Sequence, residues 1–372
     1  MEQFRKTVSM NLDNIQPKAL GDVPGSPENI KLKDFKPVSV FQCPQTHIKA
    51  AKFPVIDIHA HAWQKETDIA KWVSLMDAAN IQKTTILSFE TGKGFDEIIN
   101  RFAAYPNRFD LWCGLDYTGY DQPGTKWIDN ALAELERCHA KGARGVGELG
   151  DKGLGEYYSS PVPGYGLHLH DERMIPLFKK CGELGMPVSI HVADPIWMYL
   201  PMNYQNDGLM NSYKWRIEMR DDMLSHAGLI DSLAQAVAAN KDTTFIACHL
   251  ANCTHDLSII GNMLDDYPNL YTDITSRLKE VGTVPRYAKS FFEKYQDRIL
   301  FGSDLGYDPK ATMTFAEKIY KASFRILESE DDHIYEHDIF SYHWPLYGLG
   351  LPDAVLEKLY YKNAERLLVS RG

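Results

Sequence analysis

What the chain lacks narrows its function before anything it contains. No apolar stretch among its 372 residues approaches the roughly 20 needed to span a membrane. Met1–Asn14 mixes charge and polarity without the apolar segment of a secretory signal. There is no basic run, and 40 Lys and Arg face 50 Asp and Glu for a formal charge of −10. A surface that works by neutralising phosphates is therefore excluded as the main business, and neither a nucleic-acid nor a membrane partner is expected. The six cysteines (Cys43, Cys113, Cys138, Cys181, Cys248 and Cys253) contain no CxxC pair. Scattered in this way they fit reduced, packed thiols in a cytoplasmic enzyme better than a disulfide framework. No glycine-rich phosphate loop follows any apolar run, and low-complexity tracts and internal repeats are missing apart from a recurring strand–helix unit.

What is present suffices for a large core, with 44% hydrophobic and 12% aromatic residues. Residues 1–53 are rich in Pro, Lys and Asp and read as an extended N-terminal arm with one short strand at Val38–Phe41. From residue 54 to 372 short β-type runs alternate with amphipathic segments. The predicted strands are Val55–His61, Thr84–Phe89, Phe109–Leu115, Gly145–Leu149, Val188–Val192, Thr244–His249, Leu270–Ile274 and Ile299–Ser303. Helices are predicted between and after them, closing with Pro352–Leu368. Eight strands apolar enough to be buried on both faces, each followed by a helix, predict an α/β chain folded as a (β/α)8 TIM barrel. A doubly wound open sheet is the fallback. Long loops follow strand 4 (Lys152–Asp171) and strand 5 (Asp194–Gly228), and their aromatic residues suggest ordered walls of a pocket.

The most informative feature is Asp57-Ile58-His59-Ala60-His61, directly after an apolar run. Strand alternation sends His59 and His61 to one face with Asp57 behind them, a spacing at which two imidazoles can hold one divalent ion. Two histidines lining a polar channel would read the same, so the other strand ends decide. Glu148 closes the fourth strand, His191 the fifth, His249 the sixth and Asp304 the eighth. In a barrel those ends meet at one mouth, and four histidines with two carboxylates converging there would repel and desolvate one another without an ion.

This pattern resembles the amidohydrolase superfamily. Phe301-Gly302-Ser303-Asp304, Leu349-Gly350-Leu351-Pro352 and Asn363-Ala364-Glu365-Arg366-Leu367-Leu368 look like its amidohydrolase-related branch, which also contains metal-dependent decarboxylases and lactonases. The resemblance covers roughly Phe53 to Leu368. It implies that His59, His61, His191 and Asp304 bind a first metal, and that His249 binds a second or donates a proton and polarises a carbonyl. Glu148 resembles the glutamate of TatD-type metal hydrolases, which supports a second, bridged ion. One tight ion is favoured, zinc first, with manganese or another divalent metal as alternatives. Asp304 would accept the proton of a metal-activated water.

Other residues are weaker candidates. His168-Leu169-His170 repeats the spelling in a loop, and Asp273 could support a histidine ligand from strand 7. Lys93, Lys152, Arg216 and Arg277 could meet a substrate carboxylate or sugar acid, and Trp63, Trp197 and Tyr199 could form an apolar wall. His343-Trp344 reads as structural. Three functions remain open: a hydrolase of a small ester, lactone or amide, a non-oxidative decarboxylase, and a non-catalytic barrel that binds a metal or sugar acid. The first leads, because a bridging Glu148 serves hydroxide generation. The partner is a small-molecule substrate, and the arm and long loops are compatible with a homodimer.

Overall fold

The structure, a computed structural model, describes residues 25–62, 68–306, 312–339 and 344–369. Contacts divide the chain into Met1–Val38 and Ser39–Gly372. In the first unit the described part carries a 3-10 turn at Leu32–Asp34. The predicted strand at Val38–Phe41 does not form, and Val40 and Phe41 stay exposed with no partner strand. Within the second unit the stretch before the first strand is tied down: Thr46 donates from its backbone N and its Oγ1 to Asp331 at 2.8 and 2.7 Å.

The second unit is the (β/α)8 barrel. Its strands are β1 (Val55–His61), β2 (Ile81–Leu87), β3 (Phe109–Trp112), β4 (Val146–Asp151), β5 (Val188–Val192), β6 (Phe245–Ala247), β7 (Leu270–Asp273) and β8 (Ile299–Leu300), with a short continuation β9 (Leu305–Gly306). All pairings are parallel, in the orders β3-β2-β1-β9 and β4-β5-β6-β7-β8. Two short seams join these into one ring. Cys113 bridges Val146, its N donating to Gly145 O at 3.0 Å, and the chain after β8 meets β1 through Ile58 N to Phe301 O at 3.0 Å and Asp304 N to His59 O at 2.8 Å.

The main helices are α1 (Ile69–Ala79), α2 (Gly92–Phe102), α3 (Trp127–Ala140), α4 (Ile175–Glu183), α5 (Leu209–Trp215), α6 (His226–Ala239), α7 (Leu257–Asp266), α8 (Leu278–Val281), α9 (Pro285–Lys294), α10 (Thr312–Glu328), α11 (Asp353–Glu357) and α12 (Asn363–Val369). Several start on side-chain caps: Asp68 accepts from Lys71 N, Ser225 from Gly228 N and Asp256 from Ser258 N. The predicted last helix is α11 and α12 joined by a π turn at Lys358–Lys362. None of the described helices is long and apolar enough to cross a membrane. One large apolar cluster, including Val188, Phe245 and Phe292, lies among strands and helices. A smaller one joins Ile56, Ile58, Leu87, Trp112, Ile246 and Leu300 to Ala364.

The register of β1 against β2 shifts between Asp57 and Ala60, so strict alternation fails there. Asp57 is not simply behind the histidines. It accepts from Ser303 Oγ at 2.6 Å and from the Tyr320 hydroxyl of α10 at 3.0 Å, tying β1 to the chain after β8 and to a helix. Burial pushes its carboxyl up to about 6, those donors notwithstanding. Gly302 is required at this seam, because a Cβ there would lie 2.8 Å from His59 Cβ and run into Thr275 Oγ1.

Candidate metal centre

His59, His61, Glu148, His191, His249 and Asp304 are brought to one place on the C-terminal side of the barrel: His59 and His61 from the end of β1, His191 from the end of β5, and His249 and Asp304 from just past β6 and β8, whereas Glu148 lies within β4 rather than closing it. Three of the histidines are held by the same device. His59 Nδ1 donates to Asp273 Oδ2 at 2.9 Å, His61 Nδ1 to the Leu87 carbonyl at 3.0 Å and His249 Nδ1 to the Thr275 carbonyl at 2.9 Å. With each Nδ1–H committed outward, Nε2 is the nitrogen left facing the centre.

The inward atoms form two groups. His59 Nε2 is 3.2 Å from His61 Nε2, and Asp304 Oδ1 is 3.3 Å from the latter and 3.7 Å from the former. Glu148 Oε1 is 3.2 Å from His249 Nε2 and 3.0 Å from His191 Nδ1, which are themselves 3.1 Å apart. Glu148 stands between the groups, its Oε1 3.6 Å from His59 and its Oε2 3.5 Å from His61. His191 thus groups with Glu148 and His249, across the carboxylate from His59, His61 and Asp304. Glu148, His59, His61 and His249 are buried, while Asp304 keeps 27% of its side chain and His191 12% of its side chain open to solvent.

Burial opposes charge on these groups, and their neighbours overcome it. His59 and His191 hold Glu148 well below the usual carboxylate range, and His59 lowers Asp273 against its burial. Asp304 is lowered against burial by the His61 hydrogen bond. Reciprocally, although burial opposes it, Cys248, Asp273 and Glu148 raise His59 well above an ordinary imidazole, and Glu148 raises His191. Burial and the proximity of His191 lower His249. The ionised carboxylates demand positive charge, which protons on His59 and His191 supply in the ion-free chain and a divalent cation would supply in their place.

Beyond Ala247 the chain leaves the strand. His249, Leu250, Ala251 and Asn252 take φ of 61°, 55°, 52° and 54°, a left-handed run costing about 1–2 kcal/mol per residue. Tertiary bonds hold it: His249 N donates to Asp273 Oδ1 at 2.7 Å, and Asn252 Nδ2 donates to Val192 O and Ala193 O at 3.0 Å each. Cys248 opens this turn. Its Sγ is 3.0 Å from Ser189 Oγ, and it forms a group with His59 and Asp273.

The weaker candidates separate. His168 pairs with Asp151 at 2.9 Å and His170 with Ser232 Oγ at 2.8 Å, so the loop pair is engaged in its own packing. Asp273 supports both His59 and His249. Lys152 forms an ion pair with Asp194 at 2.9 Å, Arg277 pairs with the buried Glu280 at 3.0 Å, and Arg216 lies on the exposed Glu218. Lys93 lines a cleft of about 890 Å³ with Phe89, Thr91, Ile98, Asn100 and Pro161, beside the His61 ring, which faces Phe89 at 5.7 Å. Tyr199 meets the backbone of Asp194, and Trp197 packs on Trp344 at 6.4 Å. Trp63 and His343 lie outside the described residues. Sequence reasoning missed Ser276, which donates to Asp304 Oδ2 at 2.7 Å, while Tyr158, one of the loop aromatics expected to wall a pocket, sets its ring 6.4 Å from that of His191. It also missed Asp194, signalled only as an acid three residues past a strand-end histidine.

A family model described as amidohydrolase matches residues 56–369. No curated protein sequence matches the chain. Among solved structures, a candidate amidohydrolase from Staphylococcus aureus is 17% identical with a TM-score of 0.51, covering 85% of this chain and 100% of that one. An uncharacterised TIM-barrel protein from Bordetella bronchiseptica is 17% identical with a TM-score of 0.52, over 86% of this chain and 100% of its own. The 5-carboxyvanillate decarboxylase of Novosphingobium aromaticivorans, complexed with manganese and 4-hydroxy-3-methoxy-5-nitrobenzoic acid, is 13% identical with a TM-score of 0.49, over 88% and 100%.

Proposed function

Because the chain belongs to the amidohydrolase family, we propose that it is a divalent-cation-dependent hydrolase of a small carbonyl compound: an ester, a lactone or an amide. The spacing of the inward donor atoms carries this reading. Ligands about 2.1 Å from one tetrahedral or octahedral ion stand about 3.0–3.4 Å apart. The atoms of Glu148, His191 and His249 are separated by 3.0, 3.1 and 3.2 Å, within that range, and those of His59, His61 and Asp304 by 3.2, 3.3 and 3.7 Å, the last of them wider than it. In the ion-free chain protons on His59 and His191 bridge these atoms, and a divalent cation would fit the same spacing in their place. Glu148 between the two sets supports two neighbouring cation positions that share it, with His249 as a ligand rather than a proton donor. Zinc, manganese or another divalent ion suits such nitrogen and oxygen donors.

When bound, such an ion acidifies water and polarises a carbonyl oxygen. Asp304 is the most open carboxylate of the cluster; its Oδ1 faces His59 and His61, and its Oδ2, which accepts from Ser276, is the oxygen left to take a proton from water and return it to the departing alcohol or amine. The cleft of about 890 Å³ beside His61 is of a size for a small molecule, its Phe89 and Ile98 giving apolar contact and Lys93 and Asn100 polar contact. The test is to reconstitute the protein with zinc or manganese and follow acid release from esters, lactones and amides, alongside carbon dioxide release from aromatic carboxylic acids. Acid release that requires the cation supports the proposal. Carbon dioxide release without hydrolysis would replace it with the decarboxylase reading, and silence in both assays would leave a binding barrel.

A further inference from the structure

We propose that Asp194 is a positioning residue that accepts the Nε2 proton of His191, turns Nδ1 of that ring toward Glu148 and His249, and is itself oriented by Lys152. The inference rests on the cation-binding role proposed above for the cluster. His191 is the exception among the four histidines. His59, His61 and His249 face the centre with Nε2 and are anchored through Nδ1, whereas His191 faces it with Nδ1 at 3.0 Å from Glu148 Oε1. Among the described residues, no acceptor from a neighbouring strand serves its other nitrogen. That nitrogen, Nε2, is instead 3.2 Å from Asp194 Oδ1, three residues along the same chain. A neutral imidazole carries one N–H, and whichever nitrogen donates leaves the other with its lone pair. Ionised carboxylates stand at both nitrogens, Glu148 at Nδ1 and Asp194 at Nε2; with a cation on the Nδ1 side, Asp194 keeps the N–H on Nε2 and the lone pair on Nδ1, where the donor set needs it.

The acid is held for this purpose from three sides. Its other oxygen takes the Lys152 ammonium at 2.9 Å, and Lys152 comes from the end of β4, directly after Asp151. Its backbone N donates to the Tyr199 hydroxyl at 3.2 Å, and that hydroxyl donates to Lys152 O at 3.3 Å. Ala193, at φ 58°, turns the chain back on itself, and its carbonyl is held by Asn252 Nδ2 at 3.0 Å. Asp194 is only 5% exposed, so water does not stand in for it at His191.

An ion pair that merely tied two loops together would keep the same contacts, so the experiment must separate orientation from attachment. Asp194→Asn is isosteric but has one oxygen and one amide. If its oxygen serves the Lys152 ammonium, its NH2 faces His191 Nε2 and forces the proton onto Nδ1. In Asp194→Asn with Lys152→Met the ammonium is gone and the oxygen is free to turn to His191. Zinc affinity is measured by competition with a chelating dye, with thermal unfolding of the chelated proteins as the check on folding. Asp194→Asn is expected to weaken one equivalent of zinc by about 10–100-fold, the usual effect of losing the partner of a ligating histidine. The double variant is expected to recover part of that loss. Wild-type affinity in Asp194→Asn, or a double variant as weak as the single, overturns the inference while the cation site stands. A wild-type protein that binds no zinc instead removes the cation site, and this inference with it.

Discussion

Replacing Asp273 tests how far the centre depends on what lies behind its histidines. The carboxylate is fully buried and takes three donors: His59 Nδ1 at 2.9 Å on Oδ2, and His249 N at 2.7 Å and Thr275 N at 3.0 Å on Oδ1. Asp273→Asn keeps Oδ1 and with it the left-handed turn at His249, but sets an NH2 against His59 Nδ1. His59 must then carry its proton on Nε2, which stands 3.2 Å from His61 Nε2, in the space between the inward donors. Cation affinity should fall by about 10–100-fold, or about 1.4–2.7 kcal/mol. Asp273→Ala removes all three acceptors and strands three buried donors at about 1–3 kcal/mol each, roughly 3–9 kcal/mol in total. Against a typical stability of about 5–15 kcal/mol that loss should lower the unfolding midpoint sharply. Chelator competition reads the first variant and urea unfolding the second. An Asp273→Asn protein that binds zinc as tightly as wild type, or an Asp273→Ala protein of unchanged unfolding midpoint, would refute the reasoning.

Glu148→Gln should reduce bound zinc or manganese, by elemental mass spectrometry, from two equivalents to one; unchanged content would mean that Glu148 is not shared between two positions. Gly302→Ala drives a methyl against His59 Cβ and Thr275, and should cost about 1–3 kcal/mol in urea unfolding; an unshifted midpoint would show that the seam has room to spare. His168 is raised above its ordinary value chiefly by its hydrogen bond to Asp151, with partial burial opposing. Because the folded-state value is the higher, this pair stabilises the fold fully below the unfolded imidazole's pKa of about 6.5 and loses that contribution as pH rises through the folded value. The stability difference between wild type and Asp151→Asn should accordingly shrink from mildly acidic to alkaline pH, and a difference independent of pH would contradict the assignment.

Much of the barrel was legible because burial and chemistry alternate along the strands. β1 and β5 have the boundaries read from Val55–His61 and Val188–Val192, where apolar residues run directly into strand-end histidines. β6 was read too long. Nothing in Cys248-His249-Leu250-Ala251-Asn252 marks positive φ, since no glycine is present, and the turn exists only because Asp273 and the end of β5 hold it. α5 was missed inside the long loop after β5, where apolar residues are too sparse for a period. The six site residues could be named from strand ends, but not their grouping. That His191 stands with Glu148 and His249 depends on a ring orientation set by Asp194, and Lys152, read as a cation for a substrate, is occupied by that acid. Lys152 and Asp194 come from separate loops, and although Asp194 lies only three residues beyond His191, no local pattern shows that it meets that ring.

The central claim, that these side chains hold a divalent cation, is tested most directly by anomalous X-ray diffraction at the zinc edge from crystals grown with zinc and without chelator. The account predicts a strong peak within coordination distance of His59, His61 and Asp304, and a neighbouring one by His191 and His249, with Glu148 reaching both. A map with no peak among these residues, from protein that carries zinc elsewhere, would contradict it.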